Sequence, residues 1–149
     1  MYLCVVIVLL LLRNDGNIQS PKGKEKPKAT EDIMNTKTAR QIEEMKKQTI
    51  GVEIEMNSIS RSKAAKLASQ FFGTDRYKNT ADRNGYCTYS AWDEQGREWK
   101  FQKDVSIAGI DSEKCEMVTP ILNYSDIETL QELVRILRKA GAKSDSTRG

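Results

Sequence analysis

The chain has 149 residues, 24 of them basic and 21 acidic, with a net charge of +3, and is 38% hydrophobic and 30% charged. So even a balance does not mark a nucleic-acid binder. Histidine is absent. That excludes a Ser-His-Asp triad, a Cys-His dyad and histidine-ligated zinc within this chain, and leaves carboxylates, lysines, arginines and oxygen-ligated metals as routes to chemistry. Cys4, Cys87 and Cys115 show no CxxC spacing, which suits reduced thiols in a cytoplasmic protein better than a disulfide framework.

Composition divides the chain into an apolar N-terminal segment (1–13), a linker with a weak lead-in helix (14–48) and a foldable domain (49–149). Tyr2 to Leu12 is an unbroken apolar run, shorter than the ~20 residues of a membrane span. No basic residue precedes it and no small-x-small site follows it, as a signal peptide requires. It reads as a short membrane anchor, a poor signal, or translated sequence upstream of the true start; the last suits the cytoplasmic character of the rest. Asn14 to Thr30, with Gly16, Pro21, Gly23, Pro27 and several lysines, has linker composition. Its lysines lack the aromatic residues that single-stranded nucleic acid would stack on. Ile33 to Lys47 is weakly helical, with Ile42 and Met45 on one face.

Ile50 to Met56 alternates strictly and predicts a strand. A helix follows, capped by Ser60, built on Ala64, Ala65, Leu67 and Ala68, and ended at Gly73. Thr74 to Gly85 is polar and reads as a loop. Tyr86–Trp92 and Glu98–Lys103 predict a hairpin around Asp93-Glu94-Gln95-Gly96-Arg97, with Trp92 and Trp99 stabilising it. Lys114 to Ile121 predicts another strand, with Pro120 at its end or edge. Ser125-Asp126-Ile127-Glu128 reads as a capping box. The helix it opens carries Ile127, Leu130, Leu133, Val134 and Leu137 on one face, and Gly141 can cap its end. Ala142 to Gly149 has room to begin a further strand. The expected class is α+β: an antiparallel or mixed sheet with helices on one face.

Glu53 and Glu55 are two apart on a strand, so both leave the same face, while Val52, Ile54 and Met56 leave the other. Adjacent carboxylates repel unless a cation lies between them. Magnesium, which accepts one or two carboxylates plus substrate phosphate, would resolve the repulsion; the ordinary alternative is a solvated sheet face. Glu116, between Cys115 and Met117, could join them from a neighbouring strand. Asp104 and Ser106 share parity and could bind an amine or a phosphate, or merely form a turn. Arg97 and Lys100 could neutralise phosphate charge, or simply be solvated.

Taken together, these blocks resemble the amidoligase family of carboxylate–amine ligases. Ile50-Gly51-Val52-Glu53-Ile54-Glu55-Met56 is similar to its opening strand and Gln95-Gly96-Arg97-Glu98-Trp99-Lys100 to its hairpin. Lys103-Asp104-Val105-Ser106-Ile107 is similar to the segment after it, and Cys115-Glu116-Met117-Val118-Thr119-Pro120-Ile121-Leu122 to its second acidic strand. Leu137-Arg138-Lys139-Ala140-Gly141-Ala142 is similar to the end of its long helix. The resemblance implies part of a glutamine synthetase-like catalytic fold and an ATP- and Mg2+-dependent ligase. ATP would phosphorylate a carboxylate, and an amine would attack the acyl phosphate to form an amide. It further implies metal ligation by Glu53, Glu55 and Glu116, substrate-pocket roles for Asp104 and Ser106, and phosphate contacts from Arg97 and Lys100, with small-molecule or peptide substrates. Val105 stands where the family usually has glycine. A histidine-bearing strand expected after the last helix has no counterpart before Gly149, which implies an inactive fragment. A contrasting reading is a non-enzymatic α+β binding module, possibly membrane-tethered by residues 2–12, with a merely solvated acidic face.

Overall fold

The computed structural model describes residues 28–81 and 85–144; the apolar run Tyr2–Leu12, most of the linker and residues 145–149 lie outside them. Among the described residues no helix is long and apolar enough to cross a membrane. The chain divides into two units near Gln48. The first contains helix α1 (Lys28–Lys46), which starts within the stretch expected to be linker. Its last turns are tied by Glu43–Lys46 and Glu44–Lys47 ion pairs at 2.8 and 2.7 Å, the i,i+3 spacing that brings side chains together on a helix.

The second unit begins at Thr49. Its strands are β1 (Glu53–Met56), β2 (Tyr77–Asn79), β3 (Tyr89–Trp92), β4 (Glu98–Gln102) and β5 (Cys115–Val118). They form one sheet in the order β1-β5-β4-β3-β2, antiparallel throughout. Helices α2 (Arg61–Phe71) and α3 (Ile127–Lys139) complete the unit. The α+β class with an antiparallel sheet is therefore as the sequence predicts. Strand β2 corrects the expected polar loop: its residues are exposed, and pairing with β3 rather than an apolar alternation makes it a strand.

Alternation sorts the sheet into two faces. Met56, Ala91, Trp99, Phe101, Cys115 and Met117 are buried in one cluster with Ala64, Ala65 and Ala68 of α2 and Leu130, Leu133 and Leu137 of α3. Both helices therefore cover this face, and the other is left open. Ser60 caps α2 by accepting from the Lys63 amide at 3.3 Å. Gly73 ends that helix at a φ of 69°, a conformation that is costly for a residue bearing a Cβ. Between the Glu53↔Val118 pair and the Ile50↔Leu122 bridge, Gly51 and Val52 face Thr119, Pro120 and Ile121. The extra residue makes a bulge, where proline's missing N–H is tolerated.

One buried network ties the hairpin to α3. The Asp93 carboxylate, 6% exposed, accepts from the amides of Gln95 and Arg97, from Arg97 Nε and from Trp99 Nε1, at 2.8–3.1 Å. Arg97 then donates to both carboxylate oxygens of Asp126, at 2.8 and 3.0 Å. Asp126 in turn accepts from the Asn123 amide at 2.8 Å. The capping box at the start of the helical segment is accordingly Asn123 with Asp126, not the expected Ser125 with Glu128. Arg97 holds Asp126 where it can serve Asn123. Trp92 and Trp99 also separate: Trp99 is in the core, while Trp92 lies on the open face beneath the Arg76 guanidinium, 5.7 Å from its ring centre.

Burial raises the Asp93 carboxyl, but the bonds from Trp99 and Arg97 outweigh it and hold it below the usual range. The Arg97 bond holds Asp126 low as well. Groups with depressed folded pKa values stabilise the fold above their unfolded pKa, and that contribution is lost as pH falls through the folded value. Arg97→Met should therefore cost about 3 kcal/mol near neutral pH, because it strands two largely buried carboxylates. It should also flatten the loss of stability below about pH 4. Urea unfolding of both chains across pH checks this; an unchanged acid limb would show that the network does not set it.

Candidate functional site

The open face is arranged in rows by the strand register. One row runs Lys78, Ser90, Lys100, Val118, Glu53. The next runs Gln102, Glu116, Glu55. Glu55 is thus directly opposite Glu116 across the β1–β5 ladder, and Glu53 shares their face. A like-charged pair in that position is destabilising by itself. The face is open because α2 and α3 take the apolar side, so the carboxylates owe their position to the residues between them.

Glu116 is half-buried. Its carboxyl is pushed above the ordinary range, first by burial, opposed by a hydrogen bond from Gln102, and then by the charges of Glu53, Asp104 and Glu55. Gln102 Nε2 donates to Glu116 Oε2 at 2.8 Å, which fixes one oxygen of the carboxylate that stands opposite Glu55 in the ladder. Asp104 follows β4, and its Oδ1 accepts from the Ser106 amide at 2.8 Å. That is an Asx turn, as the sequence allows, and it leaves Asp104 just past β4, near enough for its charge to act on Glu116. Ser106 and Val105 are exposed on the same turn.

Among the described residues, no group of three or more His, Cys, Asp or Glu side chains is arranged to hold a metal ion. Glu53, Glu55 and Glu116 share a face but do not close into a three-ligand cluster. The oxygen donors of Glu55 and Glu116 have the hardness magnesium prefers, and two carboxylates are enough when phosphate and water complete the shell. Lys100 is on the same face, 4.0 Å from Glu98, and Glu98 is also held by Ser90 at 2.7 Å. Arg97 is not on this face: its guanidinium is engaged by Asp93 and Asp126.

A match to the family model described as "Putative amidoligase enzyme" covers residues 46–149. The chain belongs to the amidoligase family. No curated protein and no solved structure matches it. The matched region of this amidoligase chain contains every strand of the sheet, both packed helices and all the acidic residues of the open face.

Gln102 and the coupling of Asp104 to Glu116 escape a reading of the sequence. Gln102 has the right parity, but only the β4–β5 register shows which residue it meets. Cys115 is excluded as a nucleophile: buried in the core, its thiol is pushed up to about 12, mainly by burial. Without metal, Glu116→Gln should stabilise the chain by about 0.5 kcal/mol, since it removes the charge opposite Glu55. Urea unfolding in chelator measures it, and a loss of stability instead would show that Glu116 does not suffer from its neighbours.

Proposed function

We propose that the open face of the sheet serves an ATP- and Mg2+-dependent ligase that joins a carboxylate to an amine. The observation that carries the reading is the Glu55–Glu116 pair, set face to face with Glu53 alongside, in a chain of the amidoligase family. A fold keeps such a pair on an otherwise uncrowded face at a cost, and a cation returns that cost as binding energy.

In this reading Glu55 and Glu116, supported by Glu53, hold Mg2+, which when bound offsets charge on phosphate oxygens. Gln102 keeps Glu116 oriented. Lys100, one row away, supplies a fixed positive charge toward phosphate. The γ-phosphoryl of ATP passes to the acid's carboxylate oxygen and ADP leaves. The amine nitrogen then attacks the acyl carbon, expels inorganic phosphate and loses a proton. Asp104 and Ser106, on the turn that follows β4, are assigned to the substrate pocket, with Asp104 suited to an ammonium group. Arg97 receives no phosphate role, because its donors are bound to Asp93 and Asp126. A sheet with helices on one face and metal-binding carboxylates on the other fits part of a glutamine synthetase-like catalytic domain.

The test is thermal unfolding with increasing Mg2+ or Mn2+, with and without ATP. At ten times Kd the ion should add about 1.4 kcal/mol, which is several degrees in Tm for a domain of this size. Glu55→Gln should weaken the ion at least tenfold, while Glu98→Gln, on the same face but bonded to Ser90, should not. Identical titrations for the parent and Glu55→Gln would contradict the reading.

A further inference from the structure

The connection between β4 and β5 begins directly after Gln102 and ends two residues before Glu116, so both its ends abut the acidic row. Lys103 stands at one end and Lys114 at the other. Both ammonium groups converge on a single carboxylate, Asp111: Lys103 through one oxygen and Lys114 through the other at 3.1 Å. The lysine side chains are largely covered, 22% and 16% exposed, whereas Asp111 is 64% exposed. A third cation, Arg61, donates to the backbone carbonyls of Asp111 and Lys114 at 2.9 and 2.6 Å and to that of Cys87 at 3.2 Å. Its guanidinium fixes the turn that carries both Asp111 and Lys114.

An ordinary surface ion pair needs one lysine for one acid. Here two lysines share one carboxylate, so among these three side chains positive charge exceeds negative by one, while Arg61 engages only the backbone of the turn. The covered groups are the lysines, built into the sheet ends, and the accessible group is the acid between them. We propose that Lys103 and Lys114 form a seat for a phosphoryl group, which Asp111 fills when no ligand is present. Lysine serves such groups as a compact point charge. Asp111 competes at the high effective concentration of an intramolecular partner, so a singly charged carboxylate ligand displaces it poorly. A phosphoryl chain, with several negative charges, displaces it readily. For its use the seat rests on the ligase reading, because it would hold phosphate beside the carboxylates assigned to Mg2+. Its test does not.

The test is calorimetric titration of the full chain with inorganic pyrophosphate in chelator at low salt, with acetate as the carboxylate control. Pyrophosphate should bind and acetate should not. Asp111→Asn should raise pyrophosphate affinity several-fold by removing the internal competitor, and Lys103→Met should lower it at least tenfold. Circular dichroism checks that each variant is folded, and Lys114→Met replaces Lys103→Met if that one is not. Affinity unchanged by Asp111→Asn and by the lysine variant overturns the seat, and acetate binding as tightly as pyrophosphate overturns its phosphoryl character. Because no divalent ion is present, either result leaves the Glu55–Glu116 metal test standing.

Discussion

A slip of one residue in β1 against β5 would bring Ile54 and Met56 out to solvent and press Glu53 and Glu55 into the core, because β5 is held in place by β4. The period of a strand is two, so the burial of one face and the charge of the other are a single choice. The cost of the chosen register is a like-charged pair, Glu55 facing Glu116, on the order of 0.2–1 kcal/mol. Its return is the burial of Met56 and the partial burial of Ile54, about 1.5–3 kcal/mol for each side chain fully buried. Burial wins by a wide margin, so the acidic face persists without a cation to relieve it. The bulge at Thr119–Ile121 and the hydrogen bond from the Val52 amide to Thr119 Oγ1 at 2.9 Å secure the same register beyond the strands.

The two sides of the sheet divide the charged residues between them. On the helix side Arg97 joins Asp93 to Asp126 with every partner satisfied, and the result is a closed structural tie. At the open side and the sheet end, charges are unevenly matched: carboxylates outnumber cations along the Glu116 row, and lysines outnumber acids around Asp111. Uneven matching is costly to a fold that binds nothing, and it is the pattern that a metal–phosphate ligand would even out. Arg97 and Lys103 look alike in the sequence as basic residues flanking a hairpin strand. Their surroundings give them different work.

Much of this was legible in the residues. Strict alternation gave β1, alanine-rich periodicity with Ser60 and Gly73 gave α2, and the leucine stripe gave α3. The shared face of Glu53 and Glu55 follows from parity alone. That Glu116 stands opposite Glu55 does not, because strand order depends on long-range packing. β2 stayed hidden for the related reason that its stability comes from a partner strand and not from its own pattern. The cap at Asn123 was missed because a competing Ser125–Glu128 spacing is equally good locally, and only the reach of Arg97 to Asp126 decides between them. The meeting of Lys103, Lys114 and Asp111 is a property of loop geometry, for which neither periodicity nor spacing carries a signal.

The charge frustration on the open face is proposed to be a cation site. Anomalous scattering from crystals grown with Mn2+ and a nonhydrolysable ATP analogue tests it most directly. A cation site there gives a peak between the carboxylates of Glu55 and Glu116, at about the 2.0–2.2 Å distance of hard-cation ligation, with phosphate oxygens completing the shell. A face without a peak, or manganese held only at other carboxylates, would contradict it.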